Sequence, residues 1–198
     1  MKIMILANSD TGLYKFRREL LEELVKQYEV CICLPDGDFV PSMVEIGCKF
    51  IRCDHLERRG KNPLKEAKLI AFYKEVLKKE KPDIVFTYTI KPNIYGGMAC
   101  KSLKIPYVVN ITGLGSAVEN SGVMQKVTLT LYKMGLKNAQ KVFFQNTENR
   151  DFMLGKKIVK GAYDLLPGSG VNLKQYKQHP YPDGETVDFV FIARIMKE

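Results

Sequence analysis

Three clusters of small and polar residues hold the side chains best suited to ligand chemistry. The first, Asn8-Ser9-Asp10-Thr11-Gly12, follows a short apolar run and leads straight into a helical pattern. Small residues at a helix start let backbone N–H groups face an anion, with the helix dipole assisting. Plain capping by Ser9, Asp10 or Thr11, worth ~1 kcal/mol, is the structural alternative, and both can hold at once. The second cluster is Thr87-Tyr88-Thr89-Ile90-Lys91-Pro92-Asn93-Ile94-Tyr95-Gly96-Gly97. Here Lys91 can pair with a phosphate or be a solvated loop lysine, and Asn93 stands at or near the next helix start. In the third, Thr112-Gly113-Leu114-Gly115-Ser116, two close glycines imply a tight turn or a close backbone approach to a ligand.

Other chemistries find little support. No GxGxxG or GxxxxGK[ST] pattern occurs, which disfavours a dinucleotide site or a P-loop. His55 and His179 have no nucleophile and orienting partner nearby in sequence to suggest a triad. The cysteines are Cys31, Cys33, Cys48, Cys53 and Cys100. Their spacing lacks the CxxC pairs of zinc sites, and Cys31-Ile32-Cys33 lies in an apolar run, so they read as reduced core thiols. No metal and no cofactor are expected.

These clusters need elements to position them. Strand-like runs are Lys2–Ala7, Glu29–Leu34, Lys49–Cys53, Asp83–Tyr88, Tyr107–Ile111, Lys141–Gln145 and Tyr163–Leu166. Helical periods lie between them, near Leu13–Gln27, Leu64–Lys79, Ile94–Leu103, Val123–Leu136 and Glu148–Leu154. Alternating strands and helices mean an α/β domain with a mainly parallel sheet flanked by helices. In such sheets ligands bind beyond the carboxyl ends of the strands, where all three clusters fall.

The 198 residues include 31 Lys+Arg and 22 Asp+Glu, a net charge of +9, with 45% hydrophobic residues. That balance excludes a disordered, collagenous or disulfide-stapled chain. No apolar run reaches the ~20 residues of a membrane-spanning helix, and the N-terminus lacks the pattern of a secretory signal. A cytoplasmic protein is expected, free or peripheral on the inner membrane face. Between His55 and Lys81, nine Lys/Arg face four Glu. Arg58, Arg59, Lys61, Lys65 and Lys68 form a candidate contact with an anionic membrane; the alternative is an ordinary solvated helix face. No nucleic-acid recognition motif accompanies the charge, and no nucleic acid is expected as partner.

After Gly168-Ser169-Gly170-Val171-Asn172 the chain becomes polar, and then Val187–Ala193 reads as a buried strand. It is either the opening of a second domain or a last strand of the same sheet; we favour the former. The expected division is a domain over residues 1–176, a linker over 177–186, and a truncated domain's first strand over 187–198.

Asn8-Ser9-Asp10-Thr11-Gly12-Leu13, Thr89-Ile90-Lys91-Pro92-Asn93-Ile94-Tyr95-Gly96, Asn110-Ile111-Thr112-Gly113-Leu114-Gly115 and Gly168-Ser169-Gly170-Val171-Asn172 come in the order seen in glycosyltransferase family 4. The chain resembles that family's bacterial capsule and exopolysaccharide transferases, and its end, Phe191-Ile192-Ala193-Arg194-Ile195-Met196-Lys197-Glu198, is similar to the opening of their second domain. The resemblance implies the N-terminal half of a GT-B fold, a Rossmann-like domain that binds the acceptor. A retaining, metal-independent transfer from a nucleotide-sugar donor to a glycan or polyprenyl-diphosphate-sugar acceptor is implied, with the catalytic residues in the missing half. It also implies that Gly12 and Arg194 approach the donor phosphates. For the acceptor we expect Asp10, Thr11, Lys91, Asn93, Thr112, Gly113 and Gly115 to converge, Asp10 and Thr112 on hydroxyls and Lys91 on phosphate. Relatives often carry Gly-Gly where this chain has Thr11-Gly12, and a histidine where it has Thr112. A threonine can hydrogen-bond a sugar hydroxyl but does not titrate near neutrality. The alternatives are a nucleotide-sugar 2-epimerase of the same fold, or a non-catalytic acceptor-binding subunit that docks a separate donor domain.

Overall fold

A computed structural model describes residues 1–57, 62–115, 118, 122–181, 184, 186–187 and 189–193. Seven strands form one parallel sheet: β1 Lys2–Leu6, β2 Glu29–Leu34, β3 Lys49–Arg52, β4 Ile84–Tyr88, β5 Tyr107–Ile111, β6 Lys141–Phe144 and β7 Tyr163–Leu165. Their order is β3-β2-β1-β4-β5-β6-β7. The chain thus winds outward from β1 in one direction, then returns past β1 and winds outward in the other. Helices α1 Asp10–Val25, α2 Val40–Ile46, α3 Pro63–Glu80, α4 Gly97–Leu103, α5 Val123–Leu136 and α6 Thr147–Gly155 make the crossovers, and a π-helical turn, Pro92–Gly96, leads into α4.

Strand alternation divides the core into two. Ile3, Ile5, Val30, Ile32 and Leu34 face one way and pack with Leu13 and Leu21 of α1 and Val40 and Met43 of α2. Met4, Leu6, Cys31, Cys33, Val85, Val109, Val142 and Phe144 face the other way. They pack with Leu69, Tyr73 and Leu77 of α3, Ala99 and Cys100 of α4, Leu129, Tyr132 and Leu136 of α5, and Met153 of α6. Strands buried on both faces explain the nearly continuous apolar runs of β1 and β2. All five cysteines are buried and free.

Local chemistry sets the helix ends. Ser9, Asn62 and Asn146 each accept an N–H from the first turn of α1, α3 and α6. Lys81 and Lys104 close their helices in the left-handed conformation, at φ 49° and 58°, just before Pro82 and at one residue's remove from Pro106. The sequence reading missed α2, which is short and carries Pro41 in its first turn. It also missed the π-helical turn, because Pro92 interrupts the pattern where the backbone widens.

Among the described residues the sheet takes up nothing from the apolar stretch after residue 186. Val187 and residues 189–193 lie in no strand and are exposed, Phe189 at 95%. The described residues give this apolar run no neighbouring ladder, and an unpaired strand has nothing to hold it.

The π-helical turn and α4 meet α5 closely at two glycines. A Cβ on Gly135 would stand 2.6 Å from the Ile94 carbonyl oxygen, and one on Gly97 only 2.2 Å from that of Gly135. The Tyr107 hydroxyl donates to the same Gly135 oxygen at 2.7 Å. Gly135→Ala is therefore expected to cost about 1–3 kcal/mol in urea denaturation. Gly155→Ala, with open space around it, should be neutral or slightly stabilising.

Candidate functional site

The reversal of winding direction opens a crevice where β1 and β4 lie side by side and their crossovers leave in opposite directions. A cleft of about 670 Å³ occupies this place. Four adjacent strands each deliver the residues just past their carboxyl ends: Asn8 after β1, Thr89 after β4, Thr112 after β5 and Gln145 after β6. Ser9, Thr11, Gly12, Phe16 and Arg17 of the α1 side close one wall, and Ser169 joins from the chain beyond β7. The lining mixes apolar Ala7, Leu13 and Phe16 with uncharged polar side chains, and among the described residues Arg17 is its one charge.

Arg17 sits one turn beyond Leu13, on the side of α1 that turns toward the sheet. Its guanidinium carbon lies 5.4 Å from the centroid of the Tyr88 ring, and its Nη1 donates to the Phe16 carbonyl at 2.6 Å. Burial pushes the Tyr88 phenol up, and the adjacent guanidinium partly opposes that shift. Arg18, Arg52 and Arg150 each pair with a carboxylate; Arg17, among the described residues, pairs with none. The amino-terminal turn of α1, whose dipole favours negative charge, opens on the same cleft. The Gly12 N–H is already met by Ser9 and the Thr11 N–H by the Asp10 carboxylate, so the cation Arg17, flanked by hydroxyl-bearing groups, is what suits an anion here.

Thr89 adds strain at this edge. A β-branched residue at φ 71° is a genuine outlier, costing about 1–3 kcal/mol. Its carbonyl accepts the Asn93 N–H at 3.0 Å, and its buried hydroxyl has no partner among the described residues.

Of the site residues read from sequence, Thr11, Gly12 and Thr112 line the cleft. Asp10 turns elsewhere: its carboxylate accepts the Phe39 N–H at 3.0 Å and the Thr11 hydroxyl at 3.2 Å, and it fills the space beside Gly37. Lys91 is paired with Glu66 of α3, both side chains largely buried, so its charge is already met inside the protein. Asn93 is buried and donates to the Asn110 carbonyl at 2.9 Å, tying the π-helical turn to β5. Gly113 has open space where a Cβ would stand, and Gly115 adopts φ 72° with Ile90 close by. Neither lines the cleft. Lys65 and Lys68 are exposed on α3, while Arg58, Arg59, Lys61 and Arg194 lie outside the described residues.

Tyr88, Thr89 and Ser169 fall in stretches singled out from the sequence but were given no site role, and Phe16, Arg17 and Gln145 were not singled out. A signal existed for Arg17, a charge one turn from Leu13 and from Leu21 on the helix's inner stripe. For Gln145 the signal was its place at a predicted strand's carboxyl end and for Ser169 the motif Gly168–Asn172, while tertiary approach brings both to one cleft.

At the opposite edge of the sheet, ligand atoms of Glu29, Cys31 and Glu80 lie within 4.8 Å of one another. The Lys2 ammonium stands 2.8 Å from Glu29 and 3.3 Å from Glu80, and that of Lys49 2.7 Å from Glu80. Two ammonium groups thus already satisfy the carboxylates. Burial pushes the Cys31 thiol up, further from the thiolate a metal needs.

The chain matches the family model described as glycosyl transferase 4-like over residues 2–146. A curated relative from Campylobacter jejuni, N,N'-diacetylbacillosaminyl-diphospho-undecaprenol alpha-1,3-N-acetylgalactosaminyltransferase, is 28% identical over 182 residues. The match covers 89% of this chain and 48% of that protein, so the chain spans about half the relative's length. Among solved structures, a glycosyltransferase from Rickettsia africae superposes with TM-score 0.66 at 18% identity, over 89% of this chain and 45% of that one. A UDP-N-acetylglucosamine 2-epimerase superposes with TM-score 0.59 at 18% identity, over 79% and 45%. These likenesses establish a Rossmann-like fold of the GT-B kind; transferases and an epimerase share it, so the fold alone does not select the reaction.

The Asp10 contacts yield a pH-dependent prediction. Partial burial pushes its carboxyl up, but hydrogen bonds from Phe39 and Thr11 outweigh this and hold it below the ordinary value of 3.8. A lowered folded-state pKa stabilises above the unfolded value and is lost as pH falls through the folded one. Asp10→Asn should therefore cost about 1 kcal/mol in thermal or urea unfolding at pH 7. The gap from wild type should close as pH drops below 3.8.

Proposed function

The chain belongs to the glycosyl transferase 4-like family, and we propose that it is the acceptor-binding half of a retaining glycosyltransferase. In this reading it moves a sugar from a nucleotide-sugar donor to a lipid-linked glycan, a polyprenyl-diphosphate sugar, in surface polysaccharide biosynthesis. The observation that carries the reading is the cleft at the β1/β4 crevice, with its row of uncharged polar side chains and single cation, Arg17. Hydroxyl and amide groups at Thr11, Thr112 and Gln145 suit sugar hydroxyls, which both donate and accept. Arg17 suits a phosphate of the acceptor, the role first given to Lys91, whose charge Glu66 already meets. The named activity of the Campylobacter relative, which acts on a diphospho-undecaprenol sugar, supports that acceptor class.

Residues 1–176 are then the acceptor domain, 177–186 a linker and 187–198 the beginning of a donor domain. Gly12 and Arg194 would approach the donor phosphates. Work at the cytoplasmic membrane face follows from the acceptor, and the basic stretch Arg58–Lys68 offers one attachment. No helix among the described residues is long and apolar enough to cross a membrane. A 2-epimerase needs titratable groups at the sugar. Among the described residues the lining holds no carboxylate or imidazole, and Glu119, a carboxylate of the same edge in sequence, lies outside them. Residues 1–198 alone should show no sugar transfer with any of a panel of nucleotide sugars, and turnover would refute the assignment of catalysis to the other half.

The direct test is calorimetric binding of a short-chain prenyl-diphospho-N-acetylhexosamine to residues 1–198. Arg17→Ala is expected to weaken it at least tenfold, since a charge-assisted hydrogen bond contributes about 1.5–3 kcal/mol. Arg17→Lys should fall between, and the sugar lacking its diphosphate should be insensitive to either change. Equal affinity of wild type and Arg17→Ala would remove the proposed phosphate contact.

A further inference from the structure

The outward side of α5 is unusual for a helix packed on a parallel sheet. Thr128, Leu129, Tyr132, Gly135 and Leu136 face the core. On the opposite side Val123 is 79% exposed, Val127 48% and Met134 50%, and Met124 lies beside them at 45%. The spacing 123, 127, 134 keeps the three on one stripe. Exposed Lys126, Lys133 and Lys137 run along one flank of that stripe. From Gly122 to Thr147 there is no acidic residue. An ordinary solvated helix face mixes both signs of charge, as α1 does with its Arg18–Glu22 pair; α5 combines apolar side chains with positive charge alone.

Position adds to composition. In a parallel sheet each crossover helix starts at the carboxyl edge, so the first turn of α5 stands on the cleft's side of the molecule. The first turn of α3, packed on the same sheet face, starts there too, with Leu64 75% exposed beside exposed Lys65 and Lys68. Apolar and basic residues therefore gather along the edge at which the cleft opens.

We infer that the outer face of α5 lies on an anionic lipid surface, with Val123, Val127 and Met134 entering the headgroup boundary and Lys126, Lys133 and Lys137 meeting lipid phosphates. This rests on the proposed lipid-linked acceptor, because a cleft that receives such a substrate must sit at the bilayer. It assigns the contact to α5, a different element from the Arg58–Lys68 stretch. Charge complementarity selects the partner: an interface helix with a basic flank and an apolar stripe binds by both contributions together, and the electrostatic part weakens with salt.

The chain has no tryptophan, so Val127→Trp supplies a single fluorescent reporter on this face. With residues 1–198, vesicles of phosphatidylcholine and phosphatidylglycerol should shift its emission to the blue, and brominated lipid should quench it. Pure phosphatidylcholine vesicles should do neither. Reversing Lys126, Lys133 and Lys137 to Glu should lower sedimentation with anionic vesicles by about fivefold or more per lysine at low salt. Val127→Asn with Met134→Ser should leave less binding at high salt. Circular dichroism of each variant should match wild type, since only exposed positions change. Either of two vesicle results overturns the inference: cosedimentation with no change in Trp emission, or loss of binding on reversing Arg58, Arg59 and Lys61 but not the α5 lysines. A vesicle-independent blue shift that grows with protein concentration would overturn it in favour of a second copy. Arg17→Ala should leave vesicle binding intact, so failure of the acceptor reading and failure of this one are separable.

Discussion

The pairing of β1 with β2 on one side and β4 on the other is the constraint from which the rest follows. A right-handed crossover from β1 to β2 carries α1 over one sheet face, and the return past β1 to β4 carries α3 over the other. Two crossovers leaving neighbouring strands on opposite faces cannot both cover the carboxyl edge between them. The crevice is a geometric consequence of strand order, and it exists whatever residues line it. Polar residues belong there because the strand-end backbone groups are solvated already and need no apolar cover.

α1 serves the core and the cleft with one sequence. Leu13 and Leu21 are buried against the sheet, while Phe16 and Arg17, one turn away, line the cleft. Its beginning is held doubly, by Ser9 as cap and by the Asp10 carboxylate, which clamps the backbone after β2 through Phe39. The charge nearest the cleft in sequence is thereby spent on holding the loop after β2. That leaves a cationic cleft, the opposite of what counting charges in the first motif suggests.

The other sheet face shows how close packing transmits position. Gly97 and Gly135 let the π-helical turn, α4 and α5 approach at backbone distance, and the Tyr107 hydroxyl and Asn93 amide lock that layer to β5. Thr89, at the junction of β4 and this layer, takes the strain, and it is also the residue β4 presents to the cleft. Packing on one face thus sets the geometry of the edge. The same close approach turns the remaining side of α5 outward, with its valines, methionine and lysines.

Periodicity and punctuation in the sequence were enough for the strands, most helices and the parallel class. Alternation, helical spacing and the prolines before β4 and β5 are local signals, written within a few residues. The loops that border the cleft were legible for the same reason, since strand ends in an α/β chain must fall at one edge. Side-chain direction was not legible. Asp10 and Lys91 have the right chemistry in the right loops, yet Phe39, 29 residues away, and Glu66, 25 residues away, claim them. Arg17 carried the charge that faces the cleft, and only its place on the helix's inner stripe hinted at this. An apolar run at 187–193 has the composition of a strand, but a strand exists only where another offers its ladder. The sequence by itself determined which elements form and which edge they present. Tertiary structure decided which polar groups reach the cleft, because a buried charge is drawn to whichever partner packing brings closest, and that partner is remote in sequence.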